Sequence, residues 1–536
     1  MKIQSVHSYE TPNKTPQKQS FGNAAVSTAL NFLGTNQAVG ATFVDAAFMC
    51  TPRTVVDFTR SPQAGLETAR REYTSSVNDA MLGMYGTGAA ALLSAGINKK
   101  YDAKLGKLFI DNDKLDILAD MKAKAGDLKN TDNLKSYLND IVDSTTAFNP
   151  NAKGKKFAAP GWININKSTK TEIVEKLAEE INAPADAKRL KKVKGQLKAI
   201  LVGDTGVESD FKMTRKVLDA KGKEIVKSST TSVDDYIDNI IKMTKTFQND
   251  KVASTFKQGQ SVMENAFVKG IKGLNAKTTV AGIAACATVG ALVQPFNIWL
   301  TKKQTGQSGF VGGGEENKTL KFKALKAGIA GVGMLGAIRS IGKFSEVFSK
   351  IQFRGPLPTI EQFKLVYGIT IASRFLSSRN ENELRESAIK DTLGFANWLI
   401  LGGFVSKLTA LGIEKISKAK GNPMTLLKYN KTEAKGMPKW LAGQVLSREE
   451  VLRSALKKAG VNTVKDGKAM GLGEMMKLAK EHAPKALKSA KWLNLVQVAG
   501  YIYSGLALGI AVPKLNIAIT NAINAKHAKQ EQEKVA

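Results

Sequence analysis

The sequence predicts an all-α protein: a multi-helix bundle of Gly/Ala-rich apolar helices, with two basic helical domains and at most one small β-hairpin. Three observations lead there. The stretches TTVAGIAACATVGALVQPFNIWLT (278–301) and WLNLVQVAGYIYSGLALGIAVP (492–513) are uncharged and bracketed by lysines. As helices, both are long enough to cross a hydrocarbon core of ~30 Å. Small residues recur four apart in the apolar segments, a spacing that lets helix backbones approach closely. Elsewhere helix start and stop signals frame charged periodic runs, and a single stretch alternates like a pair of strands.

Residues 1–22, rich in Pro, Ser, Asn and Gln, read as a disordered N-terminal tail without the apolar core of a secretory signal. Residues 23–98 follow as apolar helices. Their first part, up to Val44, is uncharged but diluted by Asn, Thr and Gln, which favours a buried or interfacial helix over a span. Thr51-Pro52 should break the pattern, and Pro62 should open a charged helix. AMLGMYGTGAAALLSAGI (80–97) is the first span candidate, at the lower limit of length.

Residues 99–277 have the composition of a basic, soluble helical domain. Helix ends are signalled at Gly126, and helix starts at Thr169–Glu172 and Ser232. KVLDAKGKEIV (216–226) supplies the one expected hairpin.

A membrane-type helical bundle occupies 278–411. In it the 278–301 segment and AGIAGVGMLGAIRSIGKF (327–344) form a helical hairpin across a Gly-rich loop. Two moderately apolar helices, 363–378 and 393–413, then flank the charged run 379–391. Residues 412–491 form a lysine-rich helical domain with a capping box at Ser447–Glu450. The other strong span candidate is 492–513, and 514–536 reads as a polar tail.

The chain carries 79 basic and 47 acidic residues, a net charge of +32. The excess grows along it, from 7 against 6 in 1–98 to 34 against 24 in 99–277 and 38 against 17 in 278–536. Such a balance favours an anionic partner: a membrane lipid, an acidic protein or nucleic acid. Only 13 of the basic residues are Arg. Lysine is a mobile point charge, whereas Arg supplies bidentate readout, so nucleic acid is the weaker of these partners. Cys50 and Cys286 stand far apart in apolar company and suggest neither a disulfide framework nor a zinc site.

The glycines at 331, 333 and 336 match G-x-G-x-x-G, yet the residues before them favour helix over strand, and no acidic residue stands about 20 positions on. A packed helix accounts for them better. Helix-packing positions are Gly282, Cys286 and Gly290; Gly328, Gly331 and Gly333; and Gly505 with Gly509. Possible homo-oligomers would form through the same small-residue faces. No phosphate-binding loop or nucleophile elbow occurs, and only His7, His482 and His527 are present. The sequence therefore suggests no catalytic, cofactor-binding or metal site.

Asp79, Arg339, Arg374 and Asp391 border the apolar segments. They are either intramembrane charges marking a pathway or an interhelical pair, or helix-end anchors or exposed residues on partly buried helices; the second reading is favoured. A weak internal echo sets Arg71-Glu72 before Asp79 beside Arg385-Glu386 before Asp391, with unequal spacing. The functional expectation is a non-catalytic membrane-associated scaffold with its basic domains in the cytoplasm. A multi-helix transporter or pore, and a soluble basic nucleic-acid binder, are the alternatives.

Overall fold

The computed structural model describes residues 24–59, 61–148, 162–257, 260–306, 316–355, 357–397, 401–429, 437–465 and 468–535. The expected N-terminal tail and most of the Gly-rich 305–317 loop lie outside them.

Helices α1 (Ala24–Thr35) and α2 (Gln37–Val44) lead through a π-helical turn, Asp45–Cys50, into α3 (Thr51–Phe58). Pro52 does not break this run. It occupies the first turn of α3, where a missing N–H is tolerated, and the wider π turn precedes it. Ser61 caps α4 (Pro62–Ala80) by accepting the Ala64 N–H at 3.1 Å, so Pro62 opens the helix as expected. The 80–97 segment is divided between α5 (Leu82–Leu93) and α6 (Ala95–Tyr101). At 12 residues α5 extends only ~18 Å, and this first span candidate is too short to cross a bilayer.

The next unit holds α7 (Asn112–Ala125), α8 (Thr131–Asp143), β1 (Thr145–Phe148), β2 (Trp162–Asn164), α9 (Lys167–Asn182), α10 (Ala187–Thr205), β3 (Phe211–Leu218), β4 (Glu224–Thr231), α11 (Val233–Phe247) and α12 (Asp250–Ala253). One continuous hydrophobic core, from Tyr101 to Leu274, holds it together. The expected hairpin is β3–β4, turning through Gly222 at φ 76°. It belongs, however, to an antiparallel sheet of order β2-β1-β3-β4. The two extra strands are four and three residues long, too short to show a period-2 pattern in sequence. Ser232 caps α11 as expected, but α9 starts at Lys167 behind Asn166, placing Thr169 inside the helix.

Helix α13 (Ala266–Thr305) runs unbroken for 40 residues, ~60 Å. Its first turns bury Phe267, Val268, Ile271 and Leu274 in the domain core. Further along, Ile283 and Cys286 enter the bundle core. Lys272 adds an ion pair to the fully buried Asp116 of α7 at 2.6 Å. The expected boundary at 277/278 thus falls within one rigid helix.

The bundle continues with α14 (Leu320–Ile341), α15 (Phe344–Lys350), α16 (Ile360–Ser377), α17 (Glu381–Ala396) and α18 (Gly402–Ala419). The charged run 379–391 is itself helical, as most of α17. Helix α16 packs against both α13 and α14, standing where the expected α13–α14 hairpin would have paired. Gly368 of α16 permits this by bringing its backbone against Ala337 of α14.

The lysine-rich unit contains β5 (Leu427–Lys428), α19 (Lys439–Ala442), β6 (Gln444–Val445), α20 (Arg448–Lys458), β7 (Val464–Lys465), β8 (Lys468–Ala469) and α21 (Leu472–His482). Two further short antiparallel ladders, β5–β6 and β7–β8, therefore exceed the single hairpin expected. The unit docks on the first domain through Arg453–Glu208 at 2.5 Å and Lys428–Asp210. Finally α22 (Pro484–Ser504), a π turn at Gly505–Ala511 and α23 (Val512–Val535) form one path, so the expected polar tail is helical to Val535.

Ser447 accepts the Glu450 N–H at 3.1 Å while Glu450 accepts the Ser447 N–H at 2.9 Å, the capping box read from sequence. Ser447→Ala should destabilise the lysine-rich unit by ~1 kcal/mol, read as a lowered melting temperature, whereas the exposed Lys477→Ala should leave it unchanged.

Candidate functional site

The bundle exposes large apolar side chains and buries several charges within its hydrophobic core. Its three long apolar helical runs, Ala266–Gln304, Leu320–Ile341 and Pro484–Ile523, are each long and apolar enough to cross a membrane. They turn large apolar side chains outward: Val280, Leu292, Phe296 and Trp299 on α13, Leu325, Val332 and Leu335 on α14, and Leu495 and Ile502 on α22. Val332 is 72 % exposed. Inside the bundle lie Asp45, Arg53, Glu72, Asp79, Arg374 and Asp391, all buried.

Glu72, midway along α4, is the centre of this interior charge. Its Oε1 lies 2.9 Å from Lys390 Nζ and 3.2 Å from Arg71 Nη2. Its Oε2 lies 3.4 Å from Arg374 Nη2 and 3.7 Å from Arg53 Nη1. Arg374 also donates from Nη1 to Asp391 Oδ1 at 2.9 Å. Lys390 and Asp391 are neighbours on α17, and the 100° rotation between them sends one to Glu72 and the other to Arg374. Arg53 Nε donates to the Leu508 carbonyl at 3.3 Å, in the π turn after α22, where the widened ladder leaves carbonyls accessible. Five elements are tied to one carboxylate and its partners.

Beside this centre, Asp45 accepts from Ser76 Oγ, and the Cys50 thiol lies 3.3 Å from the same hydroxyl. Asn78 donates to the Cys286 carbonyl at 3.0 Å and accepts from Tyr85 at 3.2 Å. Among the described residues Asp79 Oδ1 meets no hydrogen-bond partner.

A second buried polar group joins α1, α20 and α22. Arg448 donates from Nε to Asn494 Oδ1 at 2.6 Å and from Nη2 to Gln497 Oε1 at 2.7 Å and to the Leu493 carbonyl at 3.1 Å. Asn494 in turn donates to Ser27 at 2.8 Å. Burial pushes the Arg448 guanidinium down to about 10 despite the nearby Tyr501 phenol.

Of the charges singled out in sequence, Arg374, in the last turn of α16, and Asp391 form an interhelical pair, and Asp79, near the end of α4, is buried in the same interior rather than exposed. Arg339 is exposed on α14, away from them. No sequence signal marks Asp45, Arg53 or Lys390 as members. The echo pointed at Glu72 and Asp391, but from unlike positions in its two copies: both reach Arg374, while Glu386 instead offers its carbonyl to Asn516 at 3.2 Å.

The helix-packing positions divide. A Cβ on Gly282 would lie 2.9 Å from the Gly86 Cα of α5, and one on Gly290 would lie 2.7 Å from the Thr370 hydroxyl. Cys286 is fully buried between them. A Cβ on Gly509 would lie 2.7 Å from Pro52, one on Gly505 3.1 Å from Phe48, and one on Gly333 in ordinary contact with Phe375 at 3.4 Å. A Cβ on Gly328 or Gly331 would meet open space, because α14 packs through Ala330, Ala337 and Ile341 and turns these two outward. All three glycines of the G-x-G-x-x-G match lie inside α14, with no strand leading into them. Among the described residues no group of three or more His, Cys, Asp or Glu side chains is placed to hold a metal.

No protein family, curated protein or solved structure matches the chain. Its chemistry is therefore read from the geometry: a core in which buried ion pairs join helices that turn apolar side chains outward.

Proposed function

We propose that the chain is a non-catalytic membrane-embedded scaffold, in which the bundle sits in the bilayer and holds the basic units at its face, against anionic lipid or an acidic partner. The observation that carries this reading is the set of large apolar side chains that the long helices turn outward, with the Glu72–Arg374–Asp391 ion pairs buried beneath them. A charge in hydrocarbon is costly unless paired, and burying Glu72, Arg374 and Asp391 together meets that need. The unbroken α13 supports the scaffold role, since it fixes the domain core rigidly to the bundle. The mutual closure of the ion pairs favours joining helices over moving a solute.

The test is fractionation with an alkaline carbonate wash. The scaffold reading expects the full chain in the pellet; release into the wash or a cytosolic signal would contradict it. On this reading the basic units lie on the cytoplasmic side, and protease added to sealed cells should leave them intact.

A second reading, transport, draws on Asp79, whose buried carboxylate has an oxygen with no hydrogen-bond partner among the described residues. It expects flux in reconstituted vesicles that Asp391→Asn abolishes without loss of insertion. The scaffold reading expects no flux from either protein.

A further inference from the structure

The lysine-rich unit contains a cavity of about 630 Å³ between α20, the first turns of α22 and the 422–425 loop. No acidic residue lines it, and three lysines do: Lys458, Lys485 and Lys488. All three are exposed, and among the described residues none is paired with a carboxylate. At the same place begins α22, a 21-residue helix whose N-cap, Ala483, has no side chain to satisfy the first N–H groups. Pro484 has no N–H and the Ala486 N–H donates to the Ala483 carbonyl at 3.0 Å, so the Lys485 N–H is the donor left at this end, and with the helix dipole it favours an anion there.

A separate observation points to a ligand. Ser454 of α20 lines the cavity and is only 5 % exposed, yet among the described residues its hydroxyl meets no hydrogen-bond partner. The hydroxyl is not sealed in the core, so it is available to an occupant of the cavity it lines. The remaining wall includes the apolar Pro423, Met424, Val451 and Ala455.

We infer that this cavity is a binding site for a phosphomonoester. Such a group carries close to two negative charges at neutral pH and three acceptor oxygens, enough to engage the lysines, the helix N-terminus and the Ser454 hydroxyl together. The source can be a lipid headgroup or a soluble ester. The lipid source rests on the membrane reading above: Lys488 stands four residues, ~6 Å, before Trp492, where the uncharged run begins, which is headgroup depth. The apolar wall would then face the glycerol and the start of the acyl chains.

The test uses the full chain, once in detergent with glycerol 3-phosphate as titrant and once with vesicles of phosphatidylcholine, with or without phosphatidic acid. Lys485→Gln/Lys488→Gln should weaken glycerol 3-phosphate binding at least about tenfold and Ser454→Ala severalfold. Lys191→Gln/Lys192→Gln, a pair of exposed lysines on α10, should change it less than about twofold. Phosphatidic acid bound far more tightly than glycerol 3-phosphate identifies a lipid source, and equal binding identifies a soluble one; both sustain the site. Absence of binding to either probe, or equal loss in the two double variants, overturns it. The detergent arm needs no bilayer, so its success alongside release in carbonate would leave the site standing and remove only the membrane reading. Circular dichroism of each variant, with unchanged helicity, separates loss of binding from loss of fold.

Discussion

Glu72→Ala is expected to destabilise the chain by ~3–5 kcal/mol, the usual cost of removing one partner from a buried ion-pair cluster. The carboxylate is nearly fully buried, and four cations, Arg53, Arg71, Arg374 and Lys390, lie within 4 Å of it. Its loss removes the carboxylate these cations share and leaves Arg374 with Asp391, in surroundings where water cannot readily replace it. Thermal unfolding of the detergent-solubilised chain reads the effect. Glu224→Ala is the control, because its pair with Lys216 is more than 60 % exposed on both sides and should shift nothing measurable. A Glu72→Ala protein as stable as the control would mean that the cations are solvated and the network is not a core.

The second large effect concerns helix packing. Gly282→Val places a branched side chain where the Gly86 Cα of α5 and the Phe353 ring already stand within 3 Å of the new Cβ. Backbone atoms cannot yield as a flexible side chain can, so α13 and α5 must separate; a loss of ~3 kcal/mol or failure to fold is expected. Gly331→Val, in the same kind of small-residue pattern, meets open space and removes a glycine from a helix interior. It should be neutral or slightly stabilising. Unfolding of the two variants side by side checks the contrast, and equal losses would contradict the close approach.

The contrast also shows how far the sequence could be read. A four-residue spacing of small side chains marks a helix face on which close approach is possible. It does not say which face has a neighbour: Gly282 has one and Gly331 does not. The long apolar helices were legible because twenty uncharged residues leave little choice of structure, and so was the Ser447–Glu450 cap, which is a local device. The four-stranded sheet was legible only in β3–β4, since β1 and β2 are ordered by long-range pairing with each other and with β3. The charge network was least legible. Its members come from α3, α4, α16 and α17, some 300 residues apart in the chain, and on its own helix Glu72 looks like any solvated carboxylate among Arg70 and Arg71. The α13–α14 hairpin was expected because neighbours in sequence usually pack together. In the fold α16, with Gly368, takes that place.

The account rests on the outward-facing apolar side chains meeting hydrocarbon. The most direct measurement is collision accessibility of a spin label on Val332→Cys in the chain reconstituted into vesicles. The native Cys50 and Cys286 are both buried, so labelling should be confined to the new site. Contact with lipid predicts fast collision with oxygen and almost none with a water-soluble nickel chelate, the reverse of a label on Lys192→Cys in α10. A Val332→Cys label as open to the chelate as the one at position 192 would contradict the account.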